Sequence, residues 1–124
     1  MLEGASAHTT LPVLDMERAK RFYTETVGAI PGEATPGGAF FHLGDSSFTL
    51  YPTPNPDRGG HTQMGLRVPD VRAAVAELRS RGVTFEEYDF PGLKTTDGIA
   101  EMEGVSAAWF KDPEGNTIGV VHFG

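Results

Sequence analysis

The sequence predicts an α+β domain made of two tandem βαβββ modules, and three observations carry that prediction. Apolar residues recur at helical spacing twice, once after Asp15 and again after Asp70, each time behind a short extended run. Each helical segment is followed by short β-favouring runs bounded by Gly, Pro and Asp. The two halves also register on one another. Asp15 and Asp70 lie 55 residues apart, and the same offset places Leu11 on Leu66, Val13 on Val68 and Ala19 on Ala74.

The first extended run is His8 to Leu14, and its Pro12 predicts an edge strand or bulge because proline cannot donate to a central ladder. A helix is predicted over Met16 to Val27, with Met16, Ala19, Phe22, Tyr23 and Val27 on one stripe, Asp15 as N-cap and Gly28 as terminator. Ile30 to Thr35 is a weak strand; Phe40 to Leu43 and Ser47 to Tyr51 are stronger ones, joined by a turn at Gly44-Asp45. A Pro- and Gly-rich stretch then reads as a linker, giving module one over about residues 6–52, a linker over 53–61 and module two over 62–124 of a single domain, 1–124.

In module two an extended run over Thr62 to Val68 precedes a helix capped by Asp70, with Val71, Ala74, Val75 and Leu78 on its apolar face and Gly82 at its end. Strands are expected at Val83 to Glu87, Ser106 to Lys111 and Thr117 to Phe123. The long segment from Tyr88 to Gly104 reads as a loop of the kind that forms lids.

Composition narrows the function classes. With 124 residues, 39% hydrophobic and 22% charged, the chain has the make-up of a folded domain able to bury a core unaided. The absence of cysteine removes disulfides, thiolate metal sites and cysteine nucleophiles. A formal charge of −7 argues against nucleic acid, whose phosphates need clustered Lys and Arg. The first residues lack the basic start and apolar run of a signal peptide, and no apolar stretch reaches membrane-span length, so a soluble, cytoplasmic protein is expected. No Gly-x-Ser-x-Gly elbow, phosphate-binding loop or zinc-protease histidine pair is present. Glu101 and Glu103 around Met102 read as a solvated strand edge rather than an acid/base pair.

The opening Leu11-Pro12-Val13 with Asp15, Met16, Ala19, Phe22-Tyr23 and Gly28 resembles the start of vicinal oxygen chelate modules, the superfamily of glyoxalase I, bleomycin-resistance proteins and extradiol dioxygenases. The run Trp109-Phe110-Lys111-Asp112-Pro113-Glu114-Gly115-Asn116 resembles their last hairpin. That hairpin is itself a turn, with Pro113 fixing φ, Gly115 permitting positive φ, and Asp112 or Asn116 free to bond neighbouring backbone groups. The resemblance implies a cupped, partly open mixed β-sheet barrel with helices outside. It also implies a divalent metal in the enzymes of the family, held by side chains from the first and last strands of each module.

Carried onto this chain, those four positions fall on His8, Gln63, Leu50 and Gly119. Leu50 and Gly119 cannot ligate, and a catalytic centre draws on three or four His, Glu or Asp donors. The expectation is therefore no metal; a metal-bearing alternative would use His8 and Gln63, with His61 and His122 as further candidates.

Taking Phe41 and Phe110 as core residues turns Phe40, His42, Trp109 and Lys111 the other way. The expected ligand-binding residues are His8, Phe40, His42, Leu50, Gln63, Gly65, Trp109 and Gly119, with Thr10 beside them and Tyr88, Phe90 and Met102 as lid residues. The resemblance then implies a metal-free binder that sequesters a bulky, partly aromatic small molecule such as an antibiotic, acting as a homodimer. The alternatives are a metal-dependent lyase, isomerase or dioxygenase of the glyoxalase type, and an accessory interaction domain whose pocket its own side chains fill.

Overall fold

The computed structural model describes residues 3–4, 7–54 and 61–123, and the chain divides into two compact units, 1–57 and 58–124. In the first unit, strand β1 (Thr9–Val13) leads into helix α1 (Met16–Phe22) and then β2 (Ile30–Thr35), β3 (Gly38–Leu43) and β4 (Ser46–Pro52). The sheet order is β1-β4-β3-β2, with β1 parallel to β4 and the other pairs antiparallel. Pro12 is tolerated because β1 is an edge strand of its sheet.

Asp15 caps α1 by accepting the Arg18 N–H at 3.1 Å. The helix does not run on as regular α-helix to Val27: Tyr23–Val27 form a π-helical turn, closed by Gly28 at φ 87°. Ala19 and Tyr23 are fully buried, and the Tyr23 ring meets Phe48 edge-on at 5.2 Å while Phe48 stacks on Phe41 at 5.6 Å. With Leu11, Val13 and Leu50 they form the core of the first unit.

The second unit repeats the plan with β5 (Thr62–Arg67), α2 (Val71–Ser80), a two-stranded hairpin of β6 (Asp89–Phe90) and β7 (Leu93–Lys94), then β8 (Ile99–Met102), β9 (Val105–Lys111) and β10 (Thr117–Phe123). Its sheet order, β5-β10-β9-β8, repeats that of the first, again with the first and last strands parallel. Each sheet is open at both edges, so neither closes into a barrel. Asp70 caps α2 through the Ala73 N–H at 3.2 Å, and Val71, Val75 and Leu78 are its buried stripe. No helix among the described residues is long and apolar enough to cross a membrane.

The predicted strands of the second unit also change. Val83 to Glu87 is not a strand; it makes an isolated bridge from Phe85 to Phe110 and a bond from the Glu86 N–H to the Trp109 carbonyl at 2.8 Å. The outer place in the sheet belongs to β8, from within the segment expected to be a loop. Val83 and Phe85 are buried as a strand pattern would have them, but they spend that burial on packing, with the Phe85 ring edge-on to Phe110 at 5.5 Å. The closing turn holds as expected. The buried Asp112 carboxylate accepts from Glu114 N, Asn116 N and Asn116 Nδ2 at 2.9, 2.9 and 3.0 Å, and Gly115 sits at φ 85°.

Candidate ligand-binding site

Strand alternation gives each sheet one face under its helix and one face away from it. On the first sheet the latter carries His8 just ahead of β1, Phe40 and His42 on β3, and Ser47 and Thr49 on β4. Both nitrogens of the His8 ring are engaged: Nδ1 lies 3.1 Å from Ser47 Oγ and Nε2 lies 2.6 Å from Thr49 Oγ1. Hydroxyls donate or accept as needed, so either neutral tautomer is satisfied. The His8 ring also lies 5.7 Å from that of Phe40, which remains 40% exposed. His42 stands beside Gly32, where an added Cβ would come within 3.0 Å of its Nε2. Glycine leaves the imidazole its place.

Leu50 does not line this face. It is 0% exposed and pairs in register with Leu11 and Ala39, all three being core residues. The short Gly44-Asp45 turn pairs Phe41 with Phe48, and parity from Phe48 turns Leu50 to the helix side. Thr49, one residue earlier, takes the place expected of Leu50 and meets His8. The hairpin register was the available signal.

On the second sheet Trp109, Gly119 and Gly65 stand abreast on β9, β10 and β5. A Cβ on Gly119 would lie 3.4 Å from the indole Nε1 and 3.4 Å from the Thr62 methyl, so the indole edge and Thr62 already close that position. A Cβ on Gly65 would meet nothing within 4 Å. Gln63 sits at a β-bulge and turns its amide oxygen onto the Thr117 N–H at 3.2 Å.

The expected lid is partly a structured hairpin. Tyr88 meets Trp109 edge-on at 5.5 Å and stacks on Phe90 at 5.6 Å, so three aromatic rings run outward from the sheet to an exposed tip. Burial is the main influence raising the Tyr88 phenol pKa; the Glu86 charge adds to it and Lys111 opposes it. The ring stays a neutral donor at physiological pH. Met102 ends β8 next to the Glu103-Gly104 turn and is not part of that hairpin.

Thr95, which no motif singled out, is the latch of this segment. Its hydroxyl accepts the Tyr88 N–H at 2.8 Å and donates to Glu87 Oε1 at 2.6 Å, while its own N–H bonds the Tyr88 carbonyl at 2.9 Å. The Thr95 hydroxyl bond is the largest influence lowering the Glu87 carboxyl pKa; a Gly98 backbone bond and the Arg79 charge add to it against desolvation.

The candidate donors among the described residues do not fit a divalent metal. The first face offers two imidazoles, His8 and His42, among hydroxyls, and both nitrogens of His8 are already bonded. Gln63 has committed its oxygen to backbone. His122 lies on the helix side with Nδ1 3.0 Å from the Val68 carbonyl, and His61 Nδ1 lies 3.1 Å from the Thr62 carbonyl. Among the described residues no three His, Asp or Glu side chains are grouped so as to hold a metal.

A family model for the Glyoxalase/Bleomycin resistance protein/Dioxygenase superfamily matches residues 5–120. Among solved structures, the chain is similar to TnmS3, an antibiotic binding protein from Streptomyces sp. CB03234, at 28% identity and TM-score 0.71 over 99% of this chain and 100% of that one. It is 31% identical, with TM-score 0.66, to a glyoxalase/bleomycin resistance protein from the same Streptomyces over 94% of this chain and 98% of that one. A lactoylglutathione lyase from Agrobacterium tumefaciens shares the fold at 19% identity and TM-score 0.69, covering 96% of this chain and 93% of that one. No curated protein matches.

Proposed function

The chain belongs to the Glyoxalase/Bleomycin resistance protein/Dioxygenase superfamily, and from that premise we propose that it binds and sequesters a bulky, partly aromatic small molecule, such as an antibiotic, without a metal. The observation that carries this reading is the state of the two best family donor positions: His8 and Gln63 each spend their ligating atoms on neighbours in their own sheet. A lyase or dioxygenase of the glyoxalase type would need those atoms free and at least one carboxylate beside them.

What the faces offer instead is aromatic surface with a few polar groups, the usual make-up of a small-molecule site. Trp109 beside the bare Gly65 supplies a ring edge next to open floor, and Tyr88 braces the indole from the hairpin. An aromatic pair contributes about 0.5–1.5 kcal/mol beyond the area it buries, so a ligand ring resting on Trp109 gains both terms. The antibiotic-binding relative at 28% identity supports the same class of ligand. In this reading the protein works in the cytoplasm as a homodimer.

Trp109 is the only tryptophan, so its emission reports on the site directly. Protein freed of metal by chelation and dialysis is titrated with a panel of aromatic antibiotics, then again with Zn²⁺, Mn²⁺, Fe²⁺ or Ni²⁺ added. Saturable quenching with the same midpoint in both series is expected, and Trp109→Ala should weaken binding about tenfold by calorimetry. Retention of one metal per chain that vanishes in His8→Ala, with ligand binding that depends on it, would refute the reading.

A further inference from the structure

The chain is acidic as a whole, yet the glycine-floored face of the second sheet is not. Strand register puts Arg67 on β5, Thr117, Gly119, Val121 and Phe123 on β10, Val105, Ala107, Trp109 and Lys111 on β9, and Ala100 and Met102 on β8 together on this side. None of these is Asp or Glu, and two are cationic. Glu101, the one acidic residue of β8, lies on the opposite side, where it pairs with Arg72 at 2.6 Å. The nearby Glu86 is paired with Lys111 at 3.3 Å.

Two donors on this side have no partner among the described residues. The Trp109 Nε1–H makes no hydrogen bond among the described residues and is not sealed from solvent. Arg67, two residues along β5 and so on the same side, holds its guanidinium 5.2 Å over the Phe123 ring and makes no ion pair or hydrogen bond among the described residues. A guanidinium stacked on a ring keeps its in-plane N–H donors available. The indole edge and Thr62 cover Gly119, so the open floor is at Gly65, and it runs along β5 toward Arg67, roughly 7 Å away at about 3.3 Å per residue.

We infer that this shelf takes a planar aromatic ring bearing an acceptor oxygen on its edge, an aromatic carboxylate or phenolate. The ring lies over Gly65 beside the indole, and the oxygen meets the Arg67 guanidinium two residues along the same strand face. A cationic aromatic of the same shape would face donors and like charge there. The inference rests on the binder reading and gives that ligand a charge opposite to the one net composition favours.

The test is calorimetric titration of the full chain with 2-naphthoate and with 2-(aminomethyl)naphthalene, which share a ring and differ in the sign of the substituent. Naphthoate should bind at least about tenfold more tightly, because hydrogen bonds to a charged group are worth that much or more. Arg67→Gln should narrow the preference, and Gly65→Val, whose side chain grows into open floor, should weaken naphthoate about tenfold while the melting temperature stays unchanged. Should Gly65→Val fail to fold, the preference of the wild-type chain decides by itself. Equal or tighter binding of the amine would overturn the shelf while leaving the binder reading intact. Failure of the wild type to bind either probe, when the antibiotic panel binds, would overturn the shelf alone; failure of the panel as well would overturn both.

Discussion

Thr95→Val replaces a buried hydroxyl by a methyl of nearly the same size, so its consequences follow from lost bonds rather than lost packing. Thr95 is 7% exposed, and the change deprives the Tyr88 N–H of its 2.8 Å acceptor and Glu87 of its 2.6 Å donor. An unsatisfied N–H costs about 1–3 kcal/mol when buried, whereas Glu87 is exposed and rehydrates at little cost. The Tyr88 site is only part-buried, which places the loss at about 1–2 kcal/mol. For a chain of this length that is a fall of roughly 3–10 °C in melting temperature.

Acidity separates this cause from a general loosening. In the folded protein the Glu87 carboxyl titrates below its ordinary value, chiefly because of the Thr95 bond. A folded pKa below the unfolded one gives stability that is present above the unfolded pKa and lost as pH falls through the folded one. The gap between wild type and variant should therefore be widest near neutrality and narrow in acid by the share that Glu87 contributes, while the share of the Tyr88 N–H remains. Thermal melts from neutral to acidic pH, followed by Trp109 emission, read both effects, because the unlatched hairpin also loosens Tyr88 from the indole. An unchanged melting temperature at neutral pH, or a gap that does not narrow in acid, would refute the latch.

Two further outcomes follow from the same geometry. Asp112→Ala removes the acceptor for three bonds in the buried closing turn and should lower stability by about 3–5 kcal/mol in urea titrations, with Asp112→Asn recovering part of it. Leu50→Ala should cost about 2–5 kcal/mol as a core truncation, whereas Thr49→Ala on the open face should cost under about 1 kcal/mol; the reverse order would return Leu50 to the open face.

Much of the fold is legible in the sequence because it is written in local signals. Asp15 and Asp70 cap helices wherever those helices pack, the 55-residue repeat marks two copies of one plan, and Asp112 to Asn116 form a turn from their own residues. The sides taken by Phe41, Phe110, Phe40 and Trp109 follow from alternation alone. The failures arise where a non-local choice decides. Val83 to Glu87 has a strand's pattern, yet the outer place beside β9 goes to Ile99–Met102, because pairing depends on which segment reaches the free edge. Leu50 faces inward because a cross-strand partner, Phe48 against Phe41, sets the register of its strand. Thr95 and Thr49 carry no motif, and their importance comes from distant partners that only folding brings within hydrogen-bond reach. The sequence by itself thus determined the modules, caps, turns and apolar faces of this protein, since each depends on residues close along the chain. Tertiary structure alone decided which polar atoms of the candidate site are already taken, since that depends on contacts between strands that the chain order does not contain.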